Sequence, residues 1–435
     1  MPPAPGGNTR GRGTLVPTRC HTVIKLPSPP PAGNPYSKLF DYYAAQDIFP
    51  TYSGFESADG LRRHEYLRRR AFADKLKLPA RSLRGARLIE FGPDTGENAL
   101  VFAQWGASCT LVEPNVKAHA KVREYFARFG LSDGLEQIIE ADISQFAGRP
   151  EAARQYDLVI AEGFIYTVKP ESVWINLFHD LLVDEGQAVF SFYDPASCVT
   201  ELMLKAVHAA GCRKTDLPRR DVAHRLFATK WASIAHRRSL DSWIMDVLEN
   251  PFVRLAYFLD ARELCRSMRE AGFSLYSAWP GYDDSLDVHW FKKLQAPDDR
   301  LRSQQRFIER SRLGHLFGKS IFIVDDSLDV ERLWKDLVGI TDGLIDGVDA
   351  AAAARGDALL AELDGLVQSP RVMAPATDRA EAHALAESYR RLLRVITSGT
   401  FDELTDFCNT DQAFIREWGV PNHYAVFTRL APQAG

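Results

Sequence analysis

The chain has 435 residues, a formal net charge of −4 and 46% hydrophobic residues. That composition is globular and long enough for two or three domains, and the missing basic excess argues against nucleic acid as the main substrate. No apolar run reaches membrane-spanning length, and none follows Arg10 and Arg12 as a signal peptide would require.

Residues 1–35 are rich in Pro, Gly and Arg, which predicts a disordered arm without a core. Residues 36–85 are expected to form N-terminal helices. Leu39–Ile48 reads as a short aromatic helix that includes Tyr42 and Tyr43. Asp59–Leu76 reads as a longer one, capped by Asp59, with Arg62, Arg63, Arg68, Arg69 and Arg70 on a solvated outer face.

From Ala86 onward, short apolar runs alternate with helical patterns. Strands are expected at Arg87–Phe91, Ser108–Glu113, Leu135–Ala141, Tyr156–Ala161 and Gln187–Tyr193, with helices between them. That alternation predicts a doubly wound, mostly parallel α/β sheet. Residues 196–251 interrupt it as a helical insertion, expected to roof the site as a substrate lid. A helix then leads to two strands, Phe273–Trp279 and Asp287–Lys293, read as an antiparallel closing hairpin that completes seven strands. Residues 86–295 would thus form one domain. Residues 296–435 would form a mainly helical C-terminal region, with a strand at Lys319–Val324 and helices near 329–347, 356–368 and 378–397.

The six cysteines are scattered, with no CxxC pair and no Cys/His cluster of zinc spacing. Reduced thiols in a cytoplasmic protein without a metal are expected.

In an open α/β sheet, ligands bind beyond the C-terminal strand ends, where the strand order reverses. Four such ends carry suggestive residues. After the first strand comes Glu90-Phe91-Gly92-Pro93-Asp94-Thr95-Gly96, whose glycines let the backbone turn tightly and approach a ligand. Glu113 ends the second strand, where a carboxylate can accept both hydroxyls of a ribose. Asp142 follows the third and suits an adenine amino group. Glu162 follows the fourth, placed to touch a ligand, to act as a base or only to order its loop. Each alone is weak; the four in order form a specific pattern.

The stretches LIEFGPDTGENALVFAQWGASCTLVEPN, EADISQF, YDLVIAEGF and LLVDEGQAVFSFYD resemble successive motifs of the class I S-adenosylmethionine (SAM)-dependent methyltransferases, over roughly residues 37–294. The resemblance implies a methyltransferase with SAM lying across Gly92, Gly96, Glu113 and Asp142, near Glu162, and with Glu90 by the methionine amino group. Asp94 stands where that family usually has a third glycine. A dinucleotide fold is the rival. It would need G-x-G-x-x-G, and an aspartate beside a pyrophosphate would be repelled.

The expected acceptor is a small molecule such as a sugar or natural-product intermediate, methylated on oxygen or nitrogen. Glu162, Tyr193 and His236 are the candidates nearest the transferred methyl. His236 lies in the insertion, and Tyr42 and Tyr43 are placed to close the pocket from the other side. No nucleic-acid or membrane partner is expected, and a homo-oligomer is left open. Two further readings stay open: a non-catalytic SAM-fold module that binds a protein through its C-terminal region, and an aminopropyl transferase.

Overall fold

The computed structural model describes residues 39, 41–43, 57–146, 153–234, 238–283 and 296–431. Its strands are β1 (Arg87–Phe91), β2 (Ser108–Val112), β3 (Leu135–Ile139), β4 (Tyr156–Ala161), β5 (Leu182–Tyr193), β6 (Phe273–Trp279), β7 (Phe322–Ile323), β8 (Val372–Met373) and β9 (Asn422–Arg429). Seven form one sheet in the order β3-β2-β1-β4-β5-β9-β6, while β7 and β8 pair separately. The pairs among β1 to β5 are parallel, and β9 runs antiparallel to both β5 and β6.

Both faces of the sheet are covered around β1, β2, β4 and β5, which is why these strands read as largely continuous apolar runs rather than alternating ones. Ile89, Phe91, Val159, Phe190 and Phe427 point into one core. Leu88, Leu111, Ile160, Val189 and Val426 point into the other. The order reverses between β1 and β4, so a crevice opens beyond their C-terminal ends.

The closing antiparallel element differs from the sequence expectation. The segment Asp287–Lys293 lies outside the described residues, and the strand beside β6 is β9, from the far end of the chain. Residues 296–431 are mainly helical yet supply this inner strand. Their long helices, Glu331–Asp346, Ala350–Gln368 and Ala376–Ser398, lie close to where the apolar periodicity puts them. The Tyr389 hydroxyl donates to Thr200 Oγ1 at 2.8 Å, and Arg254 bonds Asp342 at 2.8 and 3.0 Å. These contacts tie the helices to the residues after β5.

The N-terminal helix is Ala58–Arg69, continued by a π-helical turn over Arg70–Lys75. Its cap is Ser57, whose hydroxyl accepts the Gly60 N–H at 3.1 Å, rather than Asp59. The insertion is helical over Val199–Arg213 and Arg219–Ala232. Among the described residues no helix is long and apolar enough to cross a membrane. The described cysteines, Cys109, Cys198, Cys212, Cys265 and Cys408, are all free thiols.

Candidate active site

The turn after β1 is built on three left-handed residues. Gly92 has φ +62°, Asp94 +52° and Gly96 +83°. Asparagine and aspartate tolerate this region best after glycine, so Asp94 follows the path a third glycine would take. Its amide is aimed at Glu113, donating to Oε2 at 3.0 Å. A Cβ on Gly92 would stand 2.9 Å from the Phe164 ring. The turn therefore needs glycine there for space as well as for conformation. Gly96 caps Glu97–Gln104, whose first amides face the crevice.

Three acids follow the first three strands. Glu90 is buried, and its Oε2 has no hydrogen-bond partner. Burial, with the Glu162 carboxylate nearby, pushes its carboxyl up to about 8 against the opposing pull of Arg68. Glu113 is likewise buried. Its two oxygens accept the Asp94 and Asn115 amides at 3.0 and 2.8 Å, which leaves each oxygen further acceptor capacity. Burial raises its carboxyl to about 8, while those amides lower it. Asp142 Oδ1 accepts the Ser144 and Gln145 amides at 2.8 and 2.9 Å and caps the short turn Ile143–Phe146.

Glu162 is held from outside the sheet. Arg68 donates to both of its oxygens, at 2.9 and 2.5 Å. Arg68 is thus no member of a solvated face, as the run of arginines suggested. It is 8% exposed and stacks over the Phe72 and Phe102 rings at 4.8 and 5.3 Å. The helix turns this one arginine inward because its apolar neighbours dock on the sheet there. A carboxylate gripped at both oxygens is poorly placed to take a proton, so this geometry favours a loop-ordering role over a base. Beneath it, Ser191 Oγ accepts the Gly163 amide at 2.8 Å.

Beyond the ends of β4 and β5 lies a polar aromatic cluster. Tyr193 is buried, its ring 4.6 Å from the Tyr166 ring. Tyr43 donates to Asp246 Oδ1 at 2.5 Å and accepts from Asn250 at 3.2 Å. Arg238 donates to Asp246 Oδ2 at 2.5 Å. Tyr42 donates to the Met245 carbonyl at 2.7 Å. The two N-terminal tyrosines and the insertion thus meet over β4 and β5. His236 lies outside the described residues. His208 and His224 bond the Arg219 carbonyl at 3.0 Å and Asp241 Oδ1 at 2.8 Å. Sequence reasoning passed over Tyr166 and Glu201. The only signal for Glu201 was an acid inside the otherwise apolar run Val199-Thr-Glu-Leu-Met-Leu204.

Asp194, His315 and His423 come within metal-ligand range of one another. Asp194 and His423 are already committed to other partners, while His315 Nδ1 is buried without a hydrogen-bond partner. Asp194 accepts Arg312 at 2.7 and 2.8 Å and the Ala196 and Ala261 amides at 3.1 Å. His423 engages Ser197 Oγ and Tyr282 OH, both at 2.6 Å. Burial alone would raise the Asp194 carboxyl, but Arg312 and the two histidines hold it well below the usual range. This network fastens β5, β9 and the Arg312–Phe317 helix together.

A sheet of this order, with a left-handed turn after β1 and acids at successive strand ends, defines a Rossmann-like methyltransferase fold. Residues 63–278 match the family model described as a methyltransferase domain, and this part of the chain belongs to the class I SAM-dependent methyltransferase family. No curated protein matches the chain. Among solved structures, it is similar to a SAM-dependent methyltransferase from Agrobacterium tumefaciens, at 20% identity over 26% of this chain and 39% of that one, TM-score 0.23. A second, from Mesorhizobium loti, is 21% identical over 33% of this chain and 57% of that one, TM-score 0.25. A third is the 1,6-didemethyltoxoflavin-N1-methyltransferase of Burkholderia thailandensis, at 16% identity over 39% and 68%, TM-score 0.26. This chain spans well under two thirds of the first two, and TM-scores this low decide nothing about its acceptor.

The family's cofactor is SAM, and the crevice residues fit it. The orphaned, buried Glu90 Oε2 calls for a donor such as an ammonium. Glu113 has acceptor capacity for hydroxyls. Acids, rather than the basic residues that phosphates prefer, line the turn.

Proposed function

We propose that this chain transfers a methyl group from SAM to an oxygen or nitrogen of a small acceptor held over the ends of β4 and β5. The observation that carries this is the cluster of Tyr43, Tyr166 and Tyr193 beneath the insertion, on the side toward which a cofactor lying over β1 to β3 must point its sulfonium. Bound SAM supplies a methyl on a positively charged sulfur, reactive enough that alignment and exclusion of water account for much of the rate.

The residues divide that work. Gly92, Asp94 and Gly96 shape the turn that seats the methionine and ribose, Glu90 takes the ammonium, Glu113 the ribose hydroxyls and Asp142 the adenine edge. Arg68 fixes Glu162, which keeps the Gly163 loop open between cofactor and acceptor. The insertion acts as the lid. The reading of a protein-binding module loses support from β9, because the C-terminal region is built into the sheet rather than presented for a partner.

Mass spectrometry of ligand released from the purified protein tests the cofactor half: SAM or S-adenosylhomocysteine is expected. For the acceptor half, Tyr193→Phe should lower turnover while leaving SAM affinity within a few-fold, the pattern of a contact made only with the acceptor. Unchanged turnover in that variant would remove Tyr193 from the site.

A further inference from the structure

Glu201 stands one turn into the Val199–Arg213 helix, directly after β5. It is 7% exposed, and its Oε2 is buried with no hydrogen-bond partner. A buried carboxylate oxygen left unpaired costs several times the worth of an ordinary hydrogen bond. Such an atom is either a fault in the packing or a place kept for a ligand. Its position favours a ligand. The carboxyl lies within electrostatic reach of Tyr166, Tyr193 and Asp246, the polar groups of the acceptor cluster. Among the carboxylates there it is the one with an uncommitted oxygen: Glu162 is gripped by Arg68, and Asp246 by Tyr43 and Arg238.

We propose that Glu201 is the catalytic base of this site, receiving on Oε2 the proton of an acceptor O–H or N–H. The inference rests on the methyl-transfer reading above. The acceptor heteroatom gives its proton to Glu201, and the electron pair left on it forms the bond to the methyl carbon. The carbon–sulfur bond breaks, and its electron pair stays on sulfur as S-adenosylhomocysteine leaves. The proton then passes from Glu201 to solvent when the product departs. The acceptor class is therefore one with an acidic proton on the atom methylated, such as a phenol, an imidazole or an ammonium that must first be deprotonated.

The surroundings suit that task. Burial raises the carboxyl to about 7, against the pull of Lys230 and Lys205, with Asp246 adding to the rise and Arg238 opposing it. Lys205 is itself occupied by the carbonyls of Val247, Leu248 and Asn250, and Lys230 by those of Phe414 and Glu417. Neither lysine caps the free oxygen. Cys198 and Tyr389, the other titratable groups facing Glu201, have their own protons held firmly by burial. A base that titrates near neutrality is close to optimal for proton transfer at that pH.

The test uses the full chain with phenol, imidazole and methylamine as probes. Calorimetry on the protein saturated with S-adenosylhomocysteine reads probe binding without turnover. At least one probe should bind, and E201Q should weaken it about 10- to 100-fold, as for a lost hydrogen bond to a charged group. With SAM present, wild-type turnover of that probe should rise with pH through about 7. In E201Q it should fall at least ~100-fold and lose this limb, with SAM affinity unchanged. E201A should recover part of the rate on addition of acetate, which a merely structural role would not allow. If no probe binds, or if E201Q binds and turns over like wild type, the proposal is overturned. A wild-type protein that binds no SAM in a separate titration would instead remove the reading beneath it.

Discussion

With Glu90 as the proposed partner of the cofactor's ammonium, cofactor binding should be a proton-linked event. Burial and the neighbouring Glu162 push its carboxyl up to about 8, so near neutrality the free protein carries it largely protonated. An ammonium placed against Oε2 favours the ionised form, and binding should therefore expel a proton. If only ionised Glu90 binds, the dissociation constant scales with 1 + 10^(8 − pH). Between pH 6.0 and 7.5 that factor falls from about 101 to about 4, a tightening of roughly 25-fold. The window ends at 7.5 because an α-amino group itself loses its proton near ~7.8. Isothermal calorimetry in buffers of different ionisation enthalpy would read both the slope and the number of protons released. The sign for the free protein is opposite. Because the folded pKa lies above the ordinary carboxyl value of 4.5, Glu90 favours folding most at low pH and loses that contribution as pH rises toward 8. Glu90→Gln should bind SAM with little pH dependence over this range. A flat profile in the wild type, or a slope that survives in Glu90→Gln, would refute the reasoning.

Other consequences can be checked as directly. Glu113→Ala should weaken both SAM and S-adenosylhomocysteine by about 10- to 100-fold in calorimetry, the loss of hydrogen bonds to a buried charged acceptor. Arg68→Met should destabilise the fold by about 3–5 kcal/mol in denaturant titrations, because it leaves Glu162 buried and unpaired beside Glu90. The double change Arg68→Met with Glu162→Met should recover most of that loss. Ending the chain before Asn422 should abolish soluble protein, since β5 and β6 then share no partner; a folded, SAM-binding product would show that β9 is dispensable.

The parallel half of the sheet was legible because β1, β2, β4 and β5 are largely buried on both faces and the five parallel strands follow one another closely. Each reads as a short apolar run with an acid or glycine at its end. β9 was not legible. Its sequence, Asn-His-Tyr-Ala-Val-Phe-Thr-Arg, mixes polar and apolar residues, and its partners lie far away along the chain, where local pattern carries no information about pairing. The turn after β1 was readable because Gly92 and Gly96 take left-handed backbone angles that favour glycine. Asp94 looked like a departure and proved a conformational equivalent, visible only in its φ. Arg68 could not be told from its neighbours, because which face of a helix docks is a property of the packing. The same holds for Glu201, whose unpaired oxygen exists only in three dimensions.

The late strand also bears on how the molecule is made. Residues 280 to 421, 142 in all, separate β6 from β9. At synthesis rates of roughly 5–20 residues per second, about 7–28 seconds pass between emergence of the two strands. Throughout that interval the hydrogen-bonding edges of β5 and β6 face outward with nothing between them. Unpaired edges of this kind invite pairing with other chains. A nascent chain would then depend on its own helical segments, or on a chaperone, to shield the gap until the strand that fills it arrives.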